Sequence, residues 1–269
     1  MDNLLRALAP IPAEAWELID AAARRVLTVN LAARQLVDFT GPLGWTASSI
    51  SLGRTVPAAA EPIPGVRAWV RSVQPLVELR AEFDLDRAEI ERASRGANDL
   101  DFAPLVRAAT AVAHAEDRMV FDGFAAAGLA GICERSQHGP LTLHDDYDAY
   151  PSVVSEAVRR LRMAGVGGPW AIALGPRCYT GLMQAMGRGG FPVLDVVRQI
   201  VGGPVVWAPA MNGAVVMSTR GGDFELTVGQ DLSVGYVRHG DTTVTLYLEE
   251  SLTFRVLTPE AAVCLRYES

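Results

Sequence analysis

Residues 1–45 read MDNLLRALAPIPAEAWELIDAAARRVLTVNLAARQLVDFTGPLGW. The pattern is a long amphipathic helix, then a strand and a tight turn. Pro12 suits a first helical turn, where its missing N–H costs nothing. Glu14 and Glu17 then lie near the positive end of the helix dipole. Trp16, Ile19, Ala23 and Val26 recur at three-and-four spacing and define one face, and Leu27 and Leu31 form a second apolar ridge beside it. Asp20 and Arg24 are four apart and can pair. QLVDF (35–39) reads as a strand, and the Gly41-Pro42 and Leu43-Gly44 steps as punctuation. Nothing in this stretch looks catalytic. Two readings stay open: a helix packed only on its own core, or one that also holds a partner beside Arg34 and Asp38.

Beyond this stretch the chain divides coarsely. SISLGRTV (49–56) and VRAWVRSV (66–73) alternate as strands, and PAAAEPIPG (57–65), with three prolines and a glycine, reads as the tip between them. Such a hairpin with an open edge is an aggregation hazard unless something covers it. Arg87 to Ala130 reads as mostly helical, with Leu105, Val106, Ala109, Val112 and Ala113 on one face and Met119, Val120 and Phe124 extending it. The rest mixes α and β. Val153–Met163 and Val193–Val201 read as helices, the latter stopped by Gly202-Gly203. Trp170–Leu174, VVWAP, GAVVMST, DFELTV, TTVTLYLEE and LTFRVLT read as strands, an α+β chain without internal repeats.

At 269 residues, 49% hydrophobic and 20% charged, the chain is globular and can bury a large core. A net charge of -7 argues against a general binder of nucleic acid or of anionic membranes, since both need clustered positive charge. MDNLLRALAP lacks the basic start and apolar core of a secretory signal, and no segment has the length to span a bilayer, so a cytoplasmic chain is expected. Cys133, Cys178 and Cys264 are odd in number and widely spaced, which predicts buried, reduced thiols. All 24 basic residues are arginine. The absence of lysine excludes phosphate-loop and Schiff-base lysine chemistry.

Enzyme signatures are thin. There is no G-x-S-x-G elbow, no H-E-x-x-H, no paired C-x-x-C and no dinucleotide glycine fingerprint. Gly165, Gly167 and Gly168 precede a strand, the reverse of a Rossmann order. His138, His144, Asp145, Asp146 and Asp148 share one polar loop, but they mix ligand types without a known spacing, and a solvated loop is expected there instead of a metal site. Glu116 and Asp117 beside Arg118 read as an ion-paired surface or interface. His114 and His239 have no evident partners. No catalytic residue is assigned.

The segments LAPIPAEAW, AARQLVDFTGPLGW, VELRAEFDLD, AEDRMVFDG, GGPWAIALGP, STRGGDFELTVGQDLSVGY and LYLEESLTF, in this order, resemble the encapsulin shell proteins (linocin or bacteriocin type). The resemblance runs from Leu4 to about Ala262. It implies the Hong Kong 97 phage major-capsid fold, divided into a peripheral-domain helix and strand (1–46), an extended arm (47–80), more peripheral domain (81–130), an axial domain (131–218) and a peripheral return (219–269). It implies a self-assembling icosahedral shell built from pentamers, with no enzymatic activity of its own. Such a shell encloses a cargo such as a dye-decolourising peroxidase or a ferritin-like protein. Carried over by position, the cargo's C-terminal targeting peptide would lie on Leu27, Leu31, Arg34 and Asp38 with Leu232, Val234 and Tyr236 from DLSVGY. Met186, Gly187, Arg188, Gly189, Gly190 and Phe191 match the loop that lines the five-fold pore, where Arg188 would form a positive ring; a plain surface loop is the other reading. Some relatives hold a flavin next to VELRAEFDLD with an aromatic residue, but Arg87 and Ala88 stand there, so no cofactor is expected. The lysine–asparagine cross-link of some capsids of this fold is impossible here. A phage or prophage capsid protein is one alternative, disfavoured by the acidic balance and the absence of a scaffolding segment. A hydrolase is a second, disfavoured by the missing nucleophile–base pattern.

Overall fold

The structure is a computed structural model that describes residues 3–187 and 190–268. The chain opens with helix α1 (Ala13–Asn30), strand β1 (Asp38–Thr40) and a hairpin of β2 (Ser49–Pro57) and β3 (Trp69–Pro75). Strand β4 (Val77–Asp86), α2 (Arg87–Ser94) and α3 (Ala103–Phe121) follow. Two short strands, β5 (Gly123–Phe124) and β6 (Leu129–Ala130), then lead to α4 (Ile132–Arg135), β7 (Leu141–Leu143) and α5 (Tyr150–Met163). Strand β8 (Trp170–Leu174), α6 (Pro176–Gln184), α7 (Val193–Val201), β9 (Val205–Trp207) and β10 (Ala214–Ser218) come next. The chain closes with β11 (Phe224–Val228), β12 (Ser233–His239), β13 (Thr243–Val256) and β14 (Ala262–Tyr267). No helix among the described residues is long and apolar enough to cross a membrane.

Two sheets organise these elements. In the first, β13 is central: β4 runs antiparallel along one edge from Thr243↔Asp86 to Leu252↔Val77, and β12 and β11 pair along the other, with β1 parallel to β11. The second has the order β7-β14-β10-β8-β9. The buried side chains form two cores. Ile19, Ala23 and Leu27 of α1 and Leu31 just after it pack with Leu105, Ala109 and Val112 of α3 and with Val244, Leu246 and Leu248 of β13. Met119, Val120 and Phe121 of α3 join Leu252 and Phe254 of β13 in the other core, with Val154 and Leu161 of α5 and the second sheet. Thus α3 and β13 both pass from one core to the other.

The structure corrects several expectations from the sequence. TTVTLYLEE and LTFRVLT form one 14-residue strand; Glu250 and Ser251 look like a polar break, but they sit inside the sheet with partners from distant elements. The 219–269 segment does not return as one piece, because β14 leaves the first sheet and pairs with β10 and β7 in the second. Helices α4 and α6 and strands β12 and β14 were not anticipated. The helical stretch 87–130 is broken between α2 and α3 and ends in the β5–β6 pair.

The cysteines are also corrected. Cys133 on α4 and Cys264 on β14 form a disulfide, with Cα atoms 5.7 Å apart, and only Cys178 among the described cysteines is free and buried. The expected Asp20–Arg24 pair is replaced by Arg6–Asp20 at 2.7 Å. His239 does have a partner, since its Nδ1 bonds the Tyr236 hydroxyl.

The hairpin of β2 and β3 stands away from both cores. Its apolar side chains Val56, Trp69, Val70 and Val73, with Ile63 and Val66 at its tip, are exposed. Its base is tied down where Gln74 Nε2 donates to Thr253 Oγ1 at 3.1 Å and to the Phe254 carbonyl at 2.7 Å. After β1, the chain runs tight against β11. The Leu43 N–H donates to the Val228 carbonyl at 3.0 Å. Gly41 has φ +136°, and a Cβ there would stand 2.4 Å from the Val228 oxygen, so glycine alone fits.

Candidate functional site: a groove beside the first helix

The end of α1 sets the site's geometry. The Leu31 N–H closes the last turn on the Leu27 carbonyl at 3.0 Å. The next two amides, Ala32 and Ala33, donate to Asp117 Oδ2 and Oδ1 at 3.1 and 2.9 Å. Asp117 of α3 thereby caps the short 3-10 turn Ala33–Gln35 from across the chain, a role usually filled by a local side chain. That turn aims Arg34 inward. Arg34 Nε contacts both oxygens of Glu116 at 2.9 Å, Nη2 donates to Glu116 at 2.7 Å and to Glu250 at 2.8 Å, and Nη1 donates to Asp231 at 2.8 Å. Phe39 lies against the guanidinium face, 5.1 Å from its centroid to the carbon.

Glu116 and Asp117, read from the sequence as an ion-paired surface or interface, are fully buried at 0% exposure, as is Glu250. A helix-face pattern cannot reveal this, because the partners lie 82 to 216 residues away. Burial works against the Arg34 charge, but the hydrogen bond and the charges of Glu116, Glu250 and Asp231 raise its pKa above the ordinary arginine value. Burial, and then the neighbouring Glu116, push the Glu250 carboxyl well up. Burial also pushes Asp117 up to about 7 from an ordinary 3.8, against the two backbone amides that favour its charge.

Between those two values the folded chain retains a proton on Asp117 that the unfolded chain has lost. This contribution is full below about pH 4 and is lost as the pH rises through about 7. The expected result is a wild-type unfolding midpoint that falls more steeply between about pH 4 and pH 7 than that of Asp117→Asn. The variant itself is less stable by about 1–3 kcal/mol, because it leaves a buried amide unpaired. Parallel slopes in denaturant titrations across that range would rule out Asp117 as the titrating group.

Beside this cluster lies a groove of about 450 Å³. Ala23 and Leu27 of α1, with Leu31 just after it, form one wall, Leu232, Ser233 and Val234 the other, and Leu248 of β13 contributes from the sheet. Arg6 and Asp20 mark one charged region, and Arg34 and Asp231 another. Five of the seven candidate groove residues, Leu27, Leu31, Arg34, Leu232 and Val234, come together here. Asp38 does not. It lines a separate polar hollow with Gln35, Thr219 and Asp223, where it accepts the Gly222 N–H at 2.6 Å. Four residues after Arg34 would share its face in a continuing helix, but the chain turns into β1, so the Arg34–Asp38 pair is not formed. Tyr236 also lies outside the groove, where the N-terminal segment runs along β12: its N–H donates to the Leu4 carbonyl at 2.9 Å, and Arg6 Nε donates to the Val234 carbonyl at 2.7 Å. Arg6, Asp20, Asp231 and Leu248 went unrecognised from the sequence, since no local pattern links them.

The other candidates are placed as follows. Met186 bridges to Pro192, and the Gly187 N–H donates to the Phe191 carbonyl at 3.0 Å, so the loop closes on itself. Gly190 has φ +73°, and Met186 and Phe191 are exposed. Arg188 and Gly189 lie outside the described residues. In the polar loop, His138 Nε2 bonds the Glu260 carbonyl at 3.0 Å, Asp145 pairs with Arg177, and Asp146 accepts the Asp148 N–H at 3.1 Å.

Two sheets, a long helix through both cores and a projecting hairpin give the Hong Kong 97 capsid fold. The fold matches a virus-like particle from Pyrococcus furiosus with a TM-score of 0.68 at 16% identity, covering 93% of this chain and 98% of that one. A chain of Gordonia phage Cozz matches with a TM-score of 0.55 at 13% identity, over 89% and 87% of the two chains. These likenesses establish the fold alone. Sequence carries the rest: a family model described as an encapsulating protein for peroxidase (linocin M18) matches residues 1–253. A type 1 encapsulin shell protein of Rhodospirillum rubrum is 53% identical over 99% of this chain and 97% of its own length. That of Mycobacterium tuberculosis is 41% identical over 99% and 100%. The chain belongs to the encapsulin shell-protein family.

Proposed function

We propose that copies of this chain assemble into a closed icosahedral shell in the cytoplasm and enclose a cargo enzyme. The cargo's C-terminal targeting peptide lies in the groove beside α1, and the 186–191 loop lines an opening. The observation that carries assembly is the hairpin. Its row of exposed apolar side chains, Val56, Trp69, Val70 and Val73, projects from a subunit whose two cores are complete without it. An unpaired apolar hairpin stays soluble when a neighbouring copy covers it, and closed symmetry supplies such a neighbour to every copy. A groove with apolar walls and charged regions suits an extended peptide. A peroxidase or a ferritin-like protein is the class of cargo this reading favours.

The test is assembly. Wild-type protein expressed alone is expected to give uniform closed particles by negative-stain microscopy. Trp69→Asp with Val70→Asp is expected to give small soluble species with an unchanged circular dichroism spectrum, since neither side chain belongs to a core. Particles from the double variant indistinguishable from wild type would overturn the role given to the hairpin, and a small wild-type oligomer would overturn the shell.

A further inference from the structure

The groove's charges are unequal in what remains available. Arg6 is bound to both oxygens of Asp20, at 2.7 and 2.8 Å, and also to the Val234 carbonyl. Arg34 is engaged by Glu116, Glu250 and Asp231, and Asp231 also accepts the Leu232 N–H at 2.8 Å. The remaining charged lining residue is Arg24, which is exposed, and its guanidinium has no ion pair or side-chain hydrogen bond among the described residues. The Thr28 hydroxyl below it is turned back to the Arg24 carbonyl at 2.8 Å.

We infer that the groove's occupant carries a carboxylate that docks on Arg24, so that Arg24 and not Arg34 reads the charge of the targeting peptide. This rests on the groove reading above. Spacing along α1 gives the pattern. Arg24 and Leu27 of α1 and Leu31 just past its end lie on one side, three and four residues apart, so neighbouring members of the set are about 4.5 and 6 Å apart along the axis. An extended peptide advances about 6.6 Å for each pair of residues and returns to the same face. The occupant therefore presents a carboxylate, then an apolar side chain two residues away over Leu27, then another two residues further over Leu31. The carboxylate is that of an Asp or Glu side chain or of the peptide's own C-terminus.

The shell is co-expressed with a fluorescent protein bearing a randomised C-terminal tail, and the tails recovered from purified particles are sequenced. In one library the tail ends freely; in a second it is followed by a fixed Gly-Ser-Gly, which moves the terminal carboxylate out of reach. With wild-type shells, recovered tails are expected to favour Asp or Glu two residues from an apolar pair by about two- to fivefold, the scale of an exposed ion pair. A preference confined to the open-ended library assigns the carboxylate to the terminus. Arg24→Glu is expected to invert the preference to Lys or Arg at the same position. No acidic preference in either library, or one unchanged by Arg24→Glu, would overturn the inference. Leu31→Asp, with Leu232→Asp as a second variant on the opposite wall, separates the two failures. If both shells load the same tails as wild type, the groove itself is wrong. If both load none while Arg24→Glu shells load wild-type tails, only the role of Arg24 falls.

Discussion

Arg34→Ala is expected to destabilise the subunit by about 3–5 kcal/mol, the usual cost of removing one member of a buried ion pair. The arginine stands between Glu116 and Glu250, both at 0% exposure, and its loss leaves two carboxyls in the interior without a counter-charge. The location enlarges the effect. Glu116 sits where α3 passes from one core to the other, Glu250 where β13 does the same, and Arg34 follows the helix whose end is capped by Asp117. One side chain thus fastens three elements at the junction of the two cores. Arg34→Lys keeps the charge but loses the planar fork that reaches three carboxylates, and should recover less than half of the deficit. Combining Arg34→Met with Glu116→Gln and Glu250→Gln should recover most of it, because the penalty comes from the unpaired charge. Guanidinium unfolding of assembled particles, followed by tryptophan fluorescence, reads all three. An Arg34→Ala midpoint equal to wild type would refute a structural role and return Arg34 to a purely peptide-binding one.

The second large effect concerns the Cys133–Cys264 disulfide. It closes a separation of 131 residues, so in the unfolded chain it removes much conformational freedom and stabilises the fold by roughly 2–5 kcal/mol. Cys264→Ser, or dithiothreitol added to the wild type, is expected to lower the thermal unfolding midpoint, and the reductant should leave Cys264→Ser unmoved. Alkylation of the unfolded, unreduced protein should label Cys178 alone, and after reduction all three cysteines. In the cytoplasm proposed for the shell, reducing thiols make such bonds uncommon. Alkylation in cells quenched with acid therefore decides whether the pair is oxidised where the protein works. A midpoint insensitive to reductant in the wild type would remove the disulfide from the stability of the fold.

Local pattern was legible wherever burial is decided within one element. The apolar faces of α1 and α3, the alternation of β2 and β3 and the Gly202 stop of α7 are visible because neighbours along the chain set them. Elements β12 and β14 were not, since SVGYVRH and AVCLRY gain their strand character from pairing with β13 and with β10. Polar residues were the most misleading. Glu116, Asp117 and Glu250 look like solvent-facing charges, and only a partner brought from a remote segment makes their burial tolerable.

The sequence by itself determined the family, the α+β class, the projecting hairpin and the apolar ridge Leu27–Leu31, because these rest on ordered segments and on periodicity that a single chain displays. Tertiary structure decided which charges remain available. It withdrew Asp38 to a separate hollow, engaged Arg34 with three carboxylates, joined Cys133 to Cys264 and left Arg24 open at the groove. Coulomb and hydrogen-bond energies depend on distance and burial, and residues 82 to 216 positions apart acquire both only when the chain folds.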